Sequence, residues 1–191
     1  LKGWLLMQFN ELGQPVIQLT QDDYENCLQI TAKALQVSKD LNFKNSKYGM
    51  NPDKAHVPIL CGVLGEQAIA NYFGFTYSYL GYNPENNDVL GYEVRSTYLN
   101  IGRLFTHPVK TPNDRRGDKN GRYILVTVDQ KTLAATIRGY STLTRCNERQ
   151  SNWDNELPSP CFAMPQSQLW PIDMLPENEE LAAFRQANAA A

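Results

Sequence analysis

The sequence lacks the features that would place it in a membrane or in an oxidising compartment. No apolar run approaches the roughly 18 residues of a membrane-spanning helix, because charged residues interrupt the most apolar stretches. The N-terminal LKGWLLMQF is not a basic segment followed by a long apolar region and a cleavage site, so we expect no secretory signal. The four cysteines are scattered and form no Cys-x-x-Cys pair, which indicates reduced thiols in a cytoplasmic protein.

The few, widely spaced cysteines and histidines also exclude a metal site built from thiolate or imidazole ligands. The cysteines are too widely spaced for a structural zinc site, and His56 and His107 are the only histidines. Any metal would therefore have to be bound by oxygen ligands.

The length and composition are those of one globular domain. A chain of 191 residues is long enough to bury a sizeable core and too short for two comfortable domains. The hydrophobic share of 42% and the charged share of 20% are ordinary values. We expect a single domain over residues 1–191, with its core at about 15–140 and a Pro-rich tail at 141–191 that wraps the surface.

Charge is unevenly distributed along the chain. The net charge of −2 alone argues against nucleic-acid binding, but residues 103–122 contain six basic residues and only two acids. A solvated hairpin explains such a segment as well as a phosphate-binding loop does. If the loop contacts phosphate, the predicted nucleic-acid-binding residues are Arg103, Lys110, Arg115, Arg116, Lys119 and Arg122.

The first part of the chain is predicted to be a strand followed by a helix. Residues 15–19 have the composition of a short strand, and Thr20 is a suitable N-cap. Apolar residues then recur at helical spacing over 24–37. The polar stretch 39–55, with its glycine and proline, predicts a loop.

The second helix is predicted to be buried. Residues 59–73 are apolar over most of the helix circumference, and Gly62 and Gly65 within it imply close packing against a neighbouring element. A short helix is predicted at 177–187 near the C-terminus. Strands are predicted at 75–82, 87–98, 101–105, 122–128 and 132–140. This order predicts an α/β (α+β) domain with a central mixed sheet flanked by helices.

The segment Asp88-Val-Leu-Gly-Tyr-Glu93-Val-Arg95 carries the candidate chemistry. Side chains alternate along a strand, so Glu93 and Arg95 point to the same face. Asp88, beyond a bend at Gly91, can converge on the same point. Mg²⁺ prefers carboxylate and carbonyl oxygens, which Asp88, Glu93 and the Val94 carbonyl would supply. Taken singly, Asp88 is also explained as a turn residue, and Glu93 with Arg95 as an ion pair.

Glu66 lies in the middle of the predicted buried helix. A carboxylate there requires a partner or a metal, because burial of an unpaired charge is unfavourable. The alternative is that Glu66 lies at the edge of the apolar face and extends its carboxylate to solvent.

These motifs resemble a known superfamily. The helix carries G-x-x-G-E-x-A-x-A-x-x-x-G over residues 62–74, followed by D-x-x-x-x-E-x-R-S-T over 88–97. Later matches, in family order, are Gly102-Arg-Leu104, Asp114 and Asp118, Tyr123-Ile-Leu125-Val126, Gly139-Tyr140, and Pro158 to Pro165 and on to Leu169. Together they resemble the PD-(D/E)xK nuclease superfamily, most closely uncharacterised phage-type nuclease-like proteins with an ExR motif, over roughly residues 56–175.

The resemblance implies a restriction-endonuclease-like core and a Mg²⁺- or Mn²⁺-dependent nuclease, most plausibly acting on DNA in the host cytoplasm if the protein is phage-encoded. It implies that Asp88 and Glu93 bind the metal, that Glu66 binds it directly or through water, and that residue 95 orients the attacking water. Catalytic residues would be Glu66, Asp88, Glu93 and Arg95. The metal would lower the pKa of that water and stabilise charge on the phosphate.

Position 95 departs from the superfamily pattern, which has lysine there. Arginine stays protonated at biological pH and does not act as a general base, although it binds phosphate well. Lys110 or Lys131 are alternatives for the missing lysine. Two other functions remain open: a non-catalytic nucleic-acid-binding protein on the same fold, and a structural or interaction subunit of a phage-like particle or replication complex.

Overall fold

A computed structural model describes residues 7–40, 55–77, 88–106, 121–148, 153–154 and 161–189. The strands are β1 Met7–Phe9, β2 Pro15–Gln18, β3 Glu93–Thr97, β4 Leu104–Thr106, β5 Arg122–Asp129, β6 Ala134–Thr142, β7 Trp153–Asp154 and β8 Cys161–Met164. The α-helices are α1 Gln21–Asp40, α2 His56–Phe73, α3 Leu143–Glu148 and α4 Glu179–Ala189. Short 3₁₀ helices span Gln166–Gln168 and Ile172–Met174. None of the described helices is long and apolar enough to cross a membrane.

The central element is a mixed five-stranded sheet, as the sequence predicted. Its strand order is β1-β2-β6-β5-β3, and β3 is the last strand of that order. β3 runs parallel to β5, with Glu93 opposite Tyr123 and Arg95 opposite Leu125, while the other neighbours are antiparallel. The fold is therefore mixed α and β, with helices flanking the sheet.

The two faces of β5 belong to two different hydrophobic clusters. Ile124, Val126 and Val128 belong to the main cluster, together with apolar residues of α1 and α2. Tyr123 and Leu125 belong to a second cluster with residues of β4, β8 and α3. Because side chains alternate along a strand and paired residues share a face, Glu93 and Arg95 lie on the face of the second cluster, and Val94 lies on the face of α2.

Helix α1 begins as the sequence predicted. The Thr20 hydroxyl accepts the backbone N–H of Asp23 at 3.0 Å, and the Asp23 carboxylate accepts the Thr20 N–H at 2.9 Å. This reciprocal pair satisfies helix N–H groups that would otherwise lack partners. The predicted loop at 39–55 lies mostly outside the described residues, and α1 includes its first two residues.

The C-terminal third departs from the prediction of a tail that only wraps the surface. β8 is buried along its whole length and is the central strand of a second sheet, in the order β4-β8-β7. Its residues CFAM are apolar without alternation, which is typical of a strand buried on both faces. The surrounding prolines predict an exposed segment, and for β8 that prediction is wrong. The predicted C-terminal helix is present as α4.

Other strand boundaries also differ from the predictions. Phe75, Thr76 and Tyr77 are not in a strand, and the rest of the segment predicted at 75–82 lies outside the described residues. Of residues 87–98, the strand comprises only β3, because Val89 and Tyr92 close a turn instead. The predicted strands at 15–19, 122–128 and 132–140 are confirmed as β2, β5 and β6 with ends shifted by one or two residues.

Gly65 and Gly62 predict opposite responses to the same substitution. A Cβ at Gly65 would lie 2.8 Å from the Ser96 Cβ and closer still to its hydroxyl, where α2 crosses β3. Among the described residues, a Cβ at Gly62 would meet only the Glu66 Oε1, at 4.0 Å. We expect Gly65→Ala to destabilise the protein by roughly 1–3 kcal/mol and Gly62→Ala to stabilise it by about 0.5–1 kcal/mol, measured by urea unfolding. Equal effects of the two substitutions would contradict the close crossing, as would failure of Ser96→Gly to restore part of the stability of Gly65→Ala.

Candidate active site

The turn that precedes β3 brings two carboxylates together. Val89 and Tyr92 exchange backbone hydrogen bonds of 3.1 and 2.9 Å, with Leu90 and Gly91 at the tip. The Asp88 Oδ2 accepts the Val94 N–H at 2.8 Å. This bond fixes the Asp88 carboxylate beside the first residues of β3, one of which is Glu93.

Arg95 links both carboxylates. Its Nη2 lies 3.0 Å from the Glu93 Oε2, and its Nη1 lies 3.8 Å from the Asp88 Oδ2. Nη1 also donates to the Val94 carbonyl at 3.3 Å. One half-buried guanidinium therefore touches the three oxygen donors that the sequence analysis assigned to a metal, and it contacts the ring of Tyr123, whose centroid is 5.6 Å from Cζ.

Glu66 joins this cluster from the other side of β3. α2 packs against β3 where Gly65 meets Ser96, and the next residue is Glu66. The hydroxyl of Tyr77 donates a short hydrogen bond to the Glu66 Oε2. Tyr77 is therefore a buried partner for one oxygen of Glu66, and Glu66 itself is half-buried.

Tyr77 is the site residue that sequence reasoning missed. It is 7% exposed and sits just after α2. In the sequence it is one of several tyrosines in FTYSYLGY, and the segment was assigned to a strand. A tyrosine near the end of a helix that carries a buried carboxylate is the signal that was available, because a buried hydroxyl and a buried carboxylate each need a partner.

Burial and neighbouring charge raise the proton affinity of two of these carboxyl groups. Burial raises the pKa of Glu66 to about 8; the Asp88 and Glu93 charges add to this, while the Tyr77 hydrogen bond and Arg95 oppose it. The pKa of Asp88 is also raised by burial, against the opposing effects of Arg95 and the Val94 N–H. The cluster therefore holds more carboxylate than a single guanidinium neutralises.

The donor set suits a hard divalent cation, although the geometry of a metal site is incomplete. Within the described residues, no group of three His, Cys, Asp or Glu side chains is arranged to hold a metal ion. Two carboxylates and a backbone carbonyl nevertheless meet around the Arg95 guanidinium. They are oxygen donors only, the kind that Mg²⁺ and Mn²⁺ take.

The predicted nucleic-acid-binding residues are only partly described. Arg103 is exposed immediately before β4, and Arg122 is half-buried as the first residue of β5. Arg122 lies near Tyr92, since its charge acts to lower the pKa of Tyr92, which burial raises. Lys110, Arg115, Arg116 and Lys119 lie outside the described residues.

Lys131 does not substitute for the missing lysine. It follows the C-terminal end of β5, whereas Glu93 is paired with Tyr123 at the opposite end. The six residue steps from Tyr123 to Asp129 separate the two ends by roughly 20 Å. The alternative role for Lys131 was therefore wrong, and Lys110 lies outside the described residues.

No family model matches the chain, and neither a curated protein nor a solved structure matches it. The resemblance to PD-(D/E)xK nucleases stays a prediction from the motifs.

The raised pKa of Glu66 predicts a pH-dependent effect of Glu66→Gln. Between about pH 4.5 and pH 8 the carboxyl ionises in the unfolded chain but stays protonated in the fold, so the wild type loses stability as pH rises through this window. Glutamine keeps an acceptor for Tyr77 and has no charge. We expect Glu66→Gln to be more stable than wild type by roughly 3 kcal/mol at pH 7, and by much less at pH 5.

Urea unfolding at pH 5, 7 and 8 measures this difference. Glu11→Gln is the matched control for the same change at an exposed position, since Glu11 is exposed in the turn between β1 and β2. A constant difference for Glu66→Gln across the three pH values would refute the raised pKa.

Proposed function

We propose that this chain is a divalent-metal-dependent nuclease that hydrolyses phosphodiester bonds in DNA, on a restriction-endonuclease-like core of the PD-(D/E)xK type. The observation that carries the proposal is the convergence of Asp88, Glu93 and the Val94 carbonyl on one cationic group. These oxygens surround the positively charged Arg95 guanidinium. A metal cation would bind to the same oxygens.

The charge of the cluster supports a second cation. The charges of Asp88 and Glu93 act on the Glu66 carboxyl, and among the described residues Arg95 contacts both Asp88 and Glu93. Glu66 consequently keeps its proton near neutral pH. With all three carboxyl groups ionised, a divalent cation would bring the net charge of these groups and Arg95 to zero. The neighbouring carboxylates would then no longer oppose the loss of the Glu66 proton.

Each residue has a role that its position allows. Asp88, Glu93 and the Val94 carbonyl would hold Mg²⁺ or Mn²⁺, which when bound supplies a Lewis acid and a water of lowered pKa. Arg95, released from the carboxylates, would bind the scissile phosphate through its fork of N–H donors. Tyr77 fixes one oxygen of Glu66.

Glu66 is the group best suited to accept a proton from the attacking water. Arginine at position 95 does not act as a base, whereas a carboxyl with a pKa of about 8 is poised near neutral pH. Its second oxygen, Oε1, faces the bare backbone of Gly62.

A non-catalytic nucleic-acid-binding protein is the second candidate. The observation in its favour is that Arg95 already pairs with both carboxylates, which reduces the need for a metal. Such a protein would bind nucleic acid in a salt-sensitive and metal-independent way. A structural or interaction role in a phage-like particle has no comparable support from the contacts of the described residues.

Cleavage of a plasmid and of single-stranded DNA in Mn²⁺ or Mg²⁺ tests the proposed activity. We expect cleavage that depends on the metal and is reduced at least about a hundredfold by Glu93→Gln, because the variant removes a charged ligand. Glu11→Gln, with its exposed side chain, should cleave like wild type. Folded wild-type protein that cleaves neither DNA nor RNA with either metal would refute the nuclease, and binding without cleavage would favour the second candidate.

Arg95→Gln separates metal binding from catalysis. Removing the guanidinium leaves the carboxylates without their internal cation, so we expect Mn²⁺ to bind at least several-fold more tightly in calorimetry. Cleavage should fall in the same variant, because the phosphate loses its charged ligand. Weaker Mn²⁺ binding by Arg95→Gln would show that the guanidinium does not compete for the metal position.

A further inference from the structure

The N-terminus of α4 touches the turn that carries the candidate metal ligands. The Asn178 side chain donates through Nδ2 to the Leu90 carbonyl at 2.8 Å, and through Oδ1 it accepts the Leu181 N–H at 2.8 Å. Asn178 therefore caps α4 with one atom and holds the tip of the turn between Val89 and Tyr92 with another. These residues are nearly 90 positions apart in the sequence.

A second bond joins the same two segments. The Tyr92 hydroxyl donates to the Pro176 carbonyl at 2.9 Å. At Gly91, an added Cβ would lie 2.6 Å from the Asn178 Nδ2, so the backbone of the turn lies directly against the cap. The turn is thus in contact with the segment before α4 on both sides of its tip.

The turn needs this support because its own sequence is poorly suited to it. Leu90 has a φ of 46° and Gly91 a φ of 75°. Two consecutive residues with positive φ are typical of a tight hairpin turn, for which Asn-Gly is the favoured pair. Leucine is strained in this region, so an external contact at its carbonyl helps to keep the turn closed.

α4 is held in place independently of Asn178. Leu181 is 2% exposed within the main hydrophobic cluster, and the ring of Phe184 packs edge-on against Phe75 with centroids 5.4 Å apart. Loss of the Asn178 amide group therefore leaves the helix docked and removes only its bond to the turn.

We propose that Asn178 is a positioning residue for the metal site: it holds the turn that sets Asp88 beside Glu93. The inference deepens the proposed function and rests on it for the identity of the ligand. Asp88 reaches the start of β3 only because this turn reverses the chain within four residues. If the turn opens, the Asp88 carboxylate moves away from Glu93 and from the Val94 N–H.

Asn178→Ser separates the two bonds of Asn178. Serine caps helices about as well as asparagine, but its side chain is too short to donate to Leu90. We expect Mn²⁺ to bind roughly five- to tenfold more weakly, as for the loss of one hydrogen bond, while the melting temperature changes by only a few degrees. Unchanged Mn²⁺ affinity in calorimetry would overturn the proposal.

Leu90→Asn is the rescue variant, since it creates the favoured Asn-Gly pair at the tip. Added to Asn178→Ser, it should restore most of the Mn²⁺ affinity, because the turn then stays closed without the hydrogen bond from Asn178 to Leu90. A merely structural role of Asn178 in capping α4 would not respond to a change at residue 90. Absence of rescue would therefore count against positioning through the turn.

Hydrogen exchange tests, without metal, whether the hydrogen bond from Asn178 to Leu90 holds the turn closed. The amides of Val89, Tyr92 and Val94 are bonded within the turn or to Asp88, and in Asn178→Ser they should exchange roughly five- to tenfold faster. If the wild type binds no Mn²⁺, the proposed function is refuted. The exchange rates then decide on their own whether Asn178 holds the turn closed. Unchanged exchange at these three amides would overturn it.

Discussion

The close crossing of α2 over β3 determines how the site is assembled. Gly65 allows the helix backbone to lie against Ser96, and the next residue, Glu66, then lies beside the end strand of the sheet. Glu93 and Arg95 project from the face of β3 opposite to α2. Without the close crossing, the Glu66 carboxyl would therefore lie farther from Asp88 and Glu93. A single packing contact therefore connects the hydrophobic core to the charged cluster.

Carboxyl groups brought together in this way repel one another, and the fold contains two devices that offset the repulsion. Arg95 supplies a positive charge to Asp88 and Glu93, and Tyr77 supplies a hydrogen bond to Glu66. Neither contact returns these carboxyl groups to their ordinary pKa, because burial still raises the pKa of both Glu66 and Asp88. A buried carboxyl cluster of this kind is a candidate functional site, and a positively charged ligand is the one proposed for it.

The sequence predicted the parts of the fold that depend on local patterns. The cap at Thr20, the buried helix with its two glycines and the alternating strands β5 and β6 follow from side-chain periodicity and capping chemistry. The buried strand β8 was not predicted, because a four-residue apolar run among prolines has no period to read. Its burial depends on β4, which is nearly 60 residues earlier in the chain.

The same division holds at the candidate site. The shared face of Glu93 and Arg95 followed from strand alternation, and the demand of Glu66 for a partner followed from its apolar neighbours. The identity of that partner did not, because Tyr77 lies in a segment rich in tyrosine. Asn178 was equally hidden, since its contact with Leu90 bridges two segments that only the tertiary fold brings together.

Arginine in place of lysine at position 95 has a physical explanation in this arrangement. A guanidinium presents its donors in a rigid fork, so it can contact Glu93 with one nitrogen while another contacts Asp88 and the Val94 carbonyl. A lysine ammonium is a single point of charge and would not reach these groups from two nitrogens at once. In the proposed nuclease, arginine would give up a side chain whose pKa can fall enough to move a proton, and it would gain a site that is assembled before any metal binds. The proton-accepting role would then fall to Glu66, the carboxyl whose pKa burial has already brought near neutral pH.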